Sequence, residues 1–309
     1  MLRRLLLALA RNDRVRGLIM AFPATRNVVE RFVAGTTWQE AEPKVRQLIE
    51  SGLKVTVDIL GEDTASPADA ERLADDYLGL LDRLAAEGLA GAAEVSVKPS
   101  AIGLALPADG PAVALAQARR IAAKAEAVGS TITLDMEGCQ LTDATIELAE
   151  ALRAEHPSVG CVLQAGLRRS QADCGRLDGP GSRIRLCKGA YDVPADLAYT
   201  ARREVDLSYV RCLKALVRGE GLPLVATHDP VLIEIAQELA SRAGRGLGDL
   251  EFQMLYGVRP EEQRRLASMG YSVRVYVPYG PDWYGYFMRR LAERPANVGF
   301  FLRSLVGRS

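Results

Sequence analysis

The sequence predicts an α/β protein whose eight parallel strands close into a (βα)8 barrel. Three observations carry this. Short runs rich in Val, Ile, Leu and Thr recur eight times along the 309 residues. Amphipathic helical patterns separate most of them, and such alternation implies a parallel sheet. The runner-up, an open doubly wound sheet, would carry a glycine-rich first turn if it bound a dinucleotide. Neither GxGxxG nor GxxxxGK[ST] occurs, and GRGLG from Gly244 has the wrong spacing.

The elements follow in order. Before Lys54 the chain gives two or three helices and no strand, the last from Trp38 to Ser51 and ended by Gly52. Residues 1–53 therefore form a helical N-terminal extension, and residues 54–309 the barrel with its C-terminal helix over the strand ends. The strands are KVTVDIL from Lys54, AEVSVK from Ala93, TITLDM from Thr131, GCVLQA from Gly160, RIRLCKG from Arg183, LVATHD from Leu224, LEFQML from Leu250 and YSVRVYV from Tyr271. Helices are expected over Ala68–Glu87, after a capping Ser66 and a first-turn Pro67, and over Pro111–Val128, stopped by Gly129. Others span Thr142–Glu155, Asp196–Arg218, Pro230–Ala243 and Pro260–Met269. The stretch between Ser170 and Asp178 is too short for a full helix, so one barrel helix is expected to shrink to a turn. After the last strand, Pro278 to Pro281 make a turn and a helix starts near Trp283.

Charge and cysteine usage narrow the classes. The formal net charge is zero, so nothing points to nucleic acid. Both ends are basic: Met1–Arg31 holds seven Arg against two acids, and Arg289–Ser309 five Arg against one. Basic ends suit an anionic membrane surface or a plain solvated helix face. The five cysteines are odd in number and form no CxxC, which fits a reducing cytoplasm. No Cys/His spacing reads as a metal site. The apolar run Leu5–Ala10 is too short for a signal peptide or a membrane span. Expected localisation is cytoplasmic, with peripheral contact on the inner face of the membrane.

In a barrel the chemistry sits at the C-terminal strand ends. Those ends read Asp58 and Glu62; Lys98; Asp135 and Glu137; Gln164; Arg185, Lys188 and Tyr191; Thr227, His228 and Asp229; Glu251 and Gln253; Arg274 and Tyr276. Lys98 and Asp135 are placed to pair across the mouth, because buried charges need partners. On the last helix Arg289, Arg290 and Glu293 lie within one turn, and two adjacent guanidiniums suit one small carboxylate. Together these groups suit a small zwitterion, with Tyr276 to wall a ring. There is no Ser-His-Asp arrangement, so a redox cofactor would supply the reactivity, with Arg185 and Lys188 for its phosphates. A Schiff-base aldolase using Lys98 or Lys188 is an alternative; a non-catalytic membrane-associated binding protein is a third.

The strings SVKPSAIG, VLQAGLRRS, RLCKGAYDVP, ATHD, EFQMLYGVR, and VRVYVPYG followed by RRLAERPAN, taken in order, resemble the proline dehydrogenase family in its small bacterial monofunctional form. The resemblance implies a distorted (βα)8 TIM-type barrel with a substrate-capping C-terminal helix and non-covalent FAD. It implies oxidation of L-proline to Δ1-pyrroline-5-carboxylate, with electrons passing to a membrane quinone and a downstream pyrroline-carboxylate dehydrogenase as a partner. By motif, Lys98, Asp135, Tyr276, Arg289, Arg290 and Glu293 fall in the substrate pocket, with Tyr191 and Leu255 near it. Gln164, Arg185, Lys188, Gly189, Ala190, Thr227 and His228 match FAD-contacting positions. Glu62 matches a carboxylate that gates the site by pairing with Arg289. Two departures stand out: Gly166 where the family carries an aromatic, and Gly138 where it carries an acid. Both are expected to leave room near the cofactor.

Overall fold

A computed structural model describes residues 29–61, 64–191 and 193–293, with the side chains of 291–293 outside the description. The barrel is present and closed. Eight parallel strands follow one another in sequence order: β1 (Lys54–Ile59), β2 (Ala93–Val97), β3 (Thr131–Leu134), β4 (Gly160–Gln164), β5 (Arg183–Cys187), β6 (Leu222–Ala226), β7 (Glu251–Leu255) and β8 (Ser272–Tyr279). Closure comes from β1 pairing with β8, with Val55 opposite Val275. The helices are α1 (Trp38–Glu50), α2 (Pro67–Ala86), α3 (Gly110–Ala127), α4 (Thr142–Arg153), α5 (Ser170–Leu177), α6 (Arg202–Arg218), α7 (Pro230–Arg242), α8 (Pro260–Ser268) and α9 (Trp283–Glu293).

Local chemistry explains the boundaries. Ser66 caps α2 by accepting the Asp69 N–H at 3.2 Å, and Pro67 takes the first turn, where its missing N–H costs nothing. The buried residues Ala70, Ala74, Tyr77, Leu81 and Leu84 then recur at helical spacing and turn one stripe onto the barrel. Asp229 caps α7 through the Val231 N–H.

Three expectations need correction. The stretch read as a turn is an eight-residue helix, α5, which buries Cys174 and Leu177. Helix α6 begins at Arg202 rather than Asp196, because Leu197–Tyr199 is used in tertiary pairing. There the Arg168 N–H donates to the Leu197 carbonyl at 2.9 Å and the Tyr199 N–H to Gly166 at 2.8 Å. Pro278 and Tyr279 belong to β8 rather than to a turn.

Strand alternation divides each strand between two environments. On β8, Val273, Val275 and Val277 join the apolar layer under the helices. Arg274 instead meets Glu251 of β7 and Glu94 of β2. Glu94 also meets Arg185 of β5, and contacts among non-adjacent strands place these groups in the barrel lumen. The lumen is therefore polar. A second apolar cluster joins Phe32 and Val33 to Trp283, Tyr284, Phe287 and Met288, so the chain before α1 packs on α9. The Ala34 N–H donates to the Pro278 carbonyl at 2.8 Å and seats that segment at the end of β8.

Candidate active site

The C-terminal end of the barrel gathers one cluster from β1, β2, β3 and β8. Lys98, just past β2, sets its ammonium on Asp58 Oδ1 at 2.5 Å, and both are buried. Asp135, just past β3, is held on three sides. Its Oδ1 accepts from the Ser96 hydroxyl at 2.7 Å and from Arg185 at 2.9 Å, and its Oδ2 accepts from the Tyr276 hydroxyl at 2.9 Å. The expected Lys98–Asp135 pair is thus replaced by two pairs, Lys98–Asp58 and Arg185–Asp135. The second oxygen of Asp58 has no hydrogen-bond donor among the described residues.

The electrostatics follow from burial. Desolvation raises the Asp58 carboxyl above its ordinary value, Lys98 pulls it down, and Asp135 pushes it up again. Tyr276 is held well above the usual phenol range by burial, with Asp135 and Asp58 adding to the effect. Its hydroxyl therefore stays protonated and donates to Asp135 at neutral pH.

Arg185 lies deeper than the sequence implies. Its five N–H donors are all engaged inside the barrel. Nε meets Gln253 at 2.5 Å, one terminal nitrogen meets Ser96 and Asp135, and the other meets Thr56 and Glu94. Arg185 therefore stands beneath the rim where a cofactor phosphate was expected to meet it, with its donors on groups of the barrel. Its guanidinium lies 5.5 Å from the centre of the Tyr276 ring. Glu251 and Arg274 also belong to the lumen rather than the rim, paired to each other at 2.7 Å.

A second cluster comes from β4 to β7. Gln164 donates to the carbonyls of Met136 and Glu137 at 2.9 and 3.0 Å, tying the end of β4 to the loop after β3. Glu137 accepts from the backbone and hydroxyl of Ser100. Lys188 ion-pairs with Asp206 at 2.6 Å and Asp229 at 3.2 Å. The Thr227 hydroxyl accepts from the Asp229 N–H. His228 Nε2 accepts the Leu255 N–H at 2.8 Å, which fixes the imidazole with Nε2 unprotonated. Gly189 has φ +100°, a conformation that favours glycine, and a Cβ there would come within 3.3 Å of Gln164. Ala190 and Tyr191 continue that segment and are half-buried.

Gly166 and Gly138 leave less room than expected. The Gly166 N–H donates to the Lys188 carbonyl at 2.9 Å, and a Cβ at 166 would stand 2.8 Å from that oxygen. Glycine here lets the segments after β4 and β5 close up. At Gly138 the Gln140 side-chain amide fills the place of a Cβ.

Helix α9 carries Arg289 and Arg290, both half-buried, with the Arg290 guanidinium 5.1 Å from the centre of the Tyr286 ring. Glu62 and the side chain of Glu293 lie outside the described residues, as do most of the basic ends.

The sequence reading put Asp58 among the strand-end groups but not as the partner of Lys98, and it missed Glu94, Ser96 and Asp206. The signal for Glu94 and Ser96 was there: they alternate with Val95 and Val97, which marks a polar face on a strand buried throughout. Among the described residues no group of His, Cys, Asp and Glu could hold a metal ion.

A closed parallel barrel with a charged strand-end mouth and a helix bearing two adjacent arginines is the architecture of an α/β-barrel enzyme. The sequence matches the family model described as Proline dehydrogenase over residues 41–303, and the chain belongs to that family. It is 41% identical to Proline dehydrogenase of Deinococcus radiodurans, covering 91% of this chain and 90% of that protein. It is 37% identical to Proline dehydrogenase 1 of Bacillus subtilis, covering 99% of both. Its fold matches proline utilization A of Bdellovibrio bacteriovorus, a structure inactivated by N-propargylglycine, with TM-score 0.80 and 27% identity. That match covers 86% of this chain and 32% of the larger protein, so the chain spans about a third of it.

Proposed function

We propose that this chain oxidises L-proline to Δ1-pyrroline-5-carboxylate, using non-covalent FAD and passing electrons to a membrane quinone. What supports this most is the family match over residues 41–303 falling on a barrel whose mouth joins Lys98, Asp58, Asp135 and Tyr276. The Schiff-base alternative is not favoured, since Lys98 is ion-paired with Asp58 and Lys188 with Asp206 and Asp229, and a nucleophile must be a neutral amine.

The residues on the β4–β6 side fit a flavin. Gly189 brings backbone close to the mouth, Thr227 and His228 line the next strand end, and Lys188 offers a cation at the rim. When bound there, the flavin supplies the hydride acceptor that no side chain provides. Lys188 meets Asp206 and Asp229, and its ammonium has three N–H donors, so one remains for a phosphate beside those two carboxylates.

The remaining work falls to the chain's own residues. Arg289 and Arg290 hold the substrate carboxylate, as a planar two-donor fork suits it. Tyr276 walls the ring, its hydroxyl fixed on Asp135 and its face against Arg185. Tyr191 and Leu255 complete the pocket beside the ring, Glu293 steadies the arginines one turn along, and Glu62 closes over the site by pairing with Arg289. Among the described residues no helix is long and apolar enough to cross a membrane. Contact with a quinone-bearing membrane is assigned to the basic ends, and a separate pyrroline-carboxylate dehydrogenase would take the product. The test is turnover of L-proline by purified protein with a soluble quinone analogue, trapping the product with o-aminobenzaldehyde. Flavin-loaded protein that forms no adduct overturns the reading.

A further inference from the structure

The Glu94 carboxylate is wholly buried in the lumen, where three arginines meet it. Arg183 approaches at 2.5 Å, Arg185 at 2.8 Å and Arg274 at 3.8 Å, and Thr56 and Thr133 donate their hydroxyls. Burial alone would raise its carboxyl, but the arginines outweigh it and hold the group ionised far below the ordinary range. In the lumen three guanidiniums (Arg183, Arg185, Arg274) face three carboxylates (Glu94, Asp135, Glu251), and the exposed Lys54 also reaches Glu251 at 3.6 Å.

Such a network is not the obvious way to fill a barrel. Replacing a buried ion cluster by apolar residues is often neutral or stabilising, and apolar layers are the usual content of a barrel interior. The arrangement does one thing that apolar packing would not. It helps fix the plane of Arg185, whose other donors reach Gln253, Ser96, Thr56 and Asp135, with the Tyr276 ring alongside. Glu94 grips that guanidinium from the side opposite the mouth, two strand positions before Ser96 and four before Lys98, all on the same face of the strand.

We propose that Glu94 is a positioning residue for the oxidation: it holds Arg185 against Asp135 and Tyr276, and its charge offsets Arg185 beneath the site. The proposal rests on the flavin-dependent reading above. Its electrostatic consequence has a definite sign. Removing the Glu94 charge leaves one positive charge uncompensated in a low-dielectric lumen, which favours the more negative, reduced state of a nearby acceptor.

The experiment uses flavin-loaded holoenzyme carrying Glu94→Gln and, as a second variant, Glu94→Gln with Arg183→Gln, which restores charge balance. The readouts are the flavin midpoint potential, kcat/KM for L-proline, and the melting temperature. In the single variant the potential moves positive and kcat/KM falls at least about tenfold, the loss of one charge-assisted hydrogen bond. In the paired variant the potential returns toward wild type while kcat/KM stays low, since Arg185 still lacks a charged acceptor on the side away from the mouth. A residue that only stabilises the barrel would lower the melting temperature and leave the potential where it was. A folded, loaded single variant with unchanged potential, or with kcat/KM within about twofold of wild type, overturns the proposal. If the single variant does not fold, the paired variant decides by the same kcat/KM criterion. If neither folds, Glu94 is structural and the proposal falls. Wild-type protein that binds no flavin defeats the earlier reading instead, before any variant is made.

Discussion

Replacing Tyr276 by Phe removes one oxygen atom from the mouth of the barrel and leaves the ring in place. That oxygen donates to Asp135 Oδ2 at 2.9 Å. A hydrogen bond to a charged acceptor is worth about 1.5–3 kcal/mol. The Asp135 side chain keeps 17% of its surface exposed, so water recovers part of the loss, and the lower end applies. About 1.5 kcal/mol corresponds to roughly a tenfold fall in kcat/KM for L-proline. Asp135 keeps its bonds to Ser96 and Arg185, so the fold and the flavin content should hold. Tyr276→Ser goes further by emptying the ring's place. It should lower activity on proline more, and raise the rate on hydroxyproline relative to proline. The assay is steady-state kinetics on both substrates beside the flavin-to-protein absorbance ratio. Unchanged kcat/KM in Tyr276→Phe, or an unchanged substrate ratio in Tyr276→Ser, would refute the assignment of Tyr276 as the wall of the pocket.

Further expectations follow from the same geometry. Arg289→Met and Arg290→Met should each cost roughly tenfold to a few hundredfold in kcat/KM, partly in KM, with flavin content kept; full activity in both would remove the carboxylate clamp. Asp58→Asn removes the carboxylate that meets the Lys98 ammonium at 2.5 Å, and should lower both the melting temperature and proline turnover; wild-type values for both would show that the pair is dispensable. Glu251, though burial opposes it, is held below its ordinary value by Arg274. A depressed carboxyl contributes stability above its unfolded value and loses it as pH falls, so the melting temperature should drop below about pH 5. Glu251→Gln should flatten that acid limb, and an unaltered limb would contradict the assignment.

Much of the fold was legible because each strand is a short β-branched run with a helix behind it. Ser66 and Pro67 mark the start of α2 by capping chemistry that needs no tertiary information. What the sequence concealed depended on partners. Nothing local tells that Leu197–Tyr199 pairs with Gly166 and Arg168 instead of opening α6. Nor does the string RIRLC tell how deep Arg185 lies; alternation puts Arg183 and Arg185 on one face, but only closure of the barrel brings Glu94 to them. Lys98 and Asp135 stand just past their strands, but their partners were not legible, because Asp58 and Arg185 compete for them and the winner is set by geometry. At Gly166 the missing side chain reads as space, whereas the structure uses it for backbone approach to Lys188.

The central claim is that this barrel oxidises proline with a flavin held at its strand ends. The most direct test is the visible absorption spectrum of the purified protein under anaerobic conditions, before and after L-proline is added. The account predicts a flavin spectrum that proline bleaches and a quinone analogue restores, with the flavin released intact on mild denaturation. Protein that stays colourless after incubation with FAD, or whose flavin spectrum proline leaves unchanged, would contradict it.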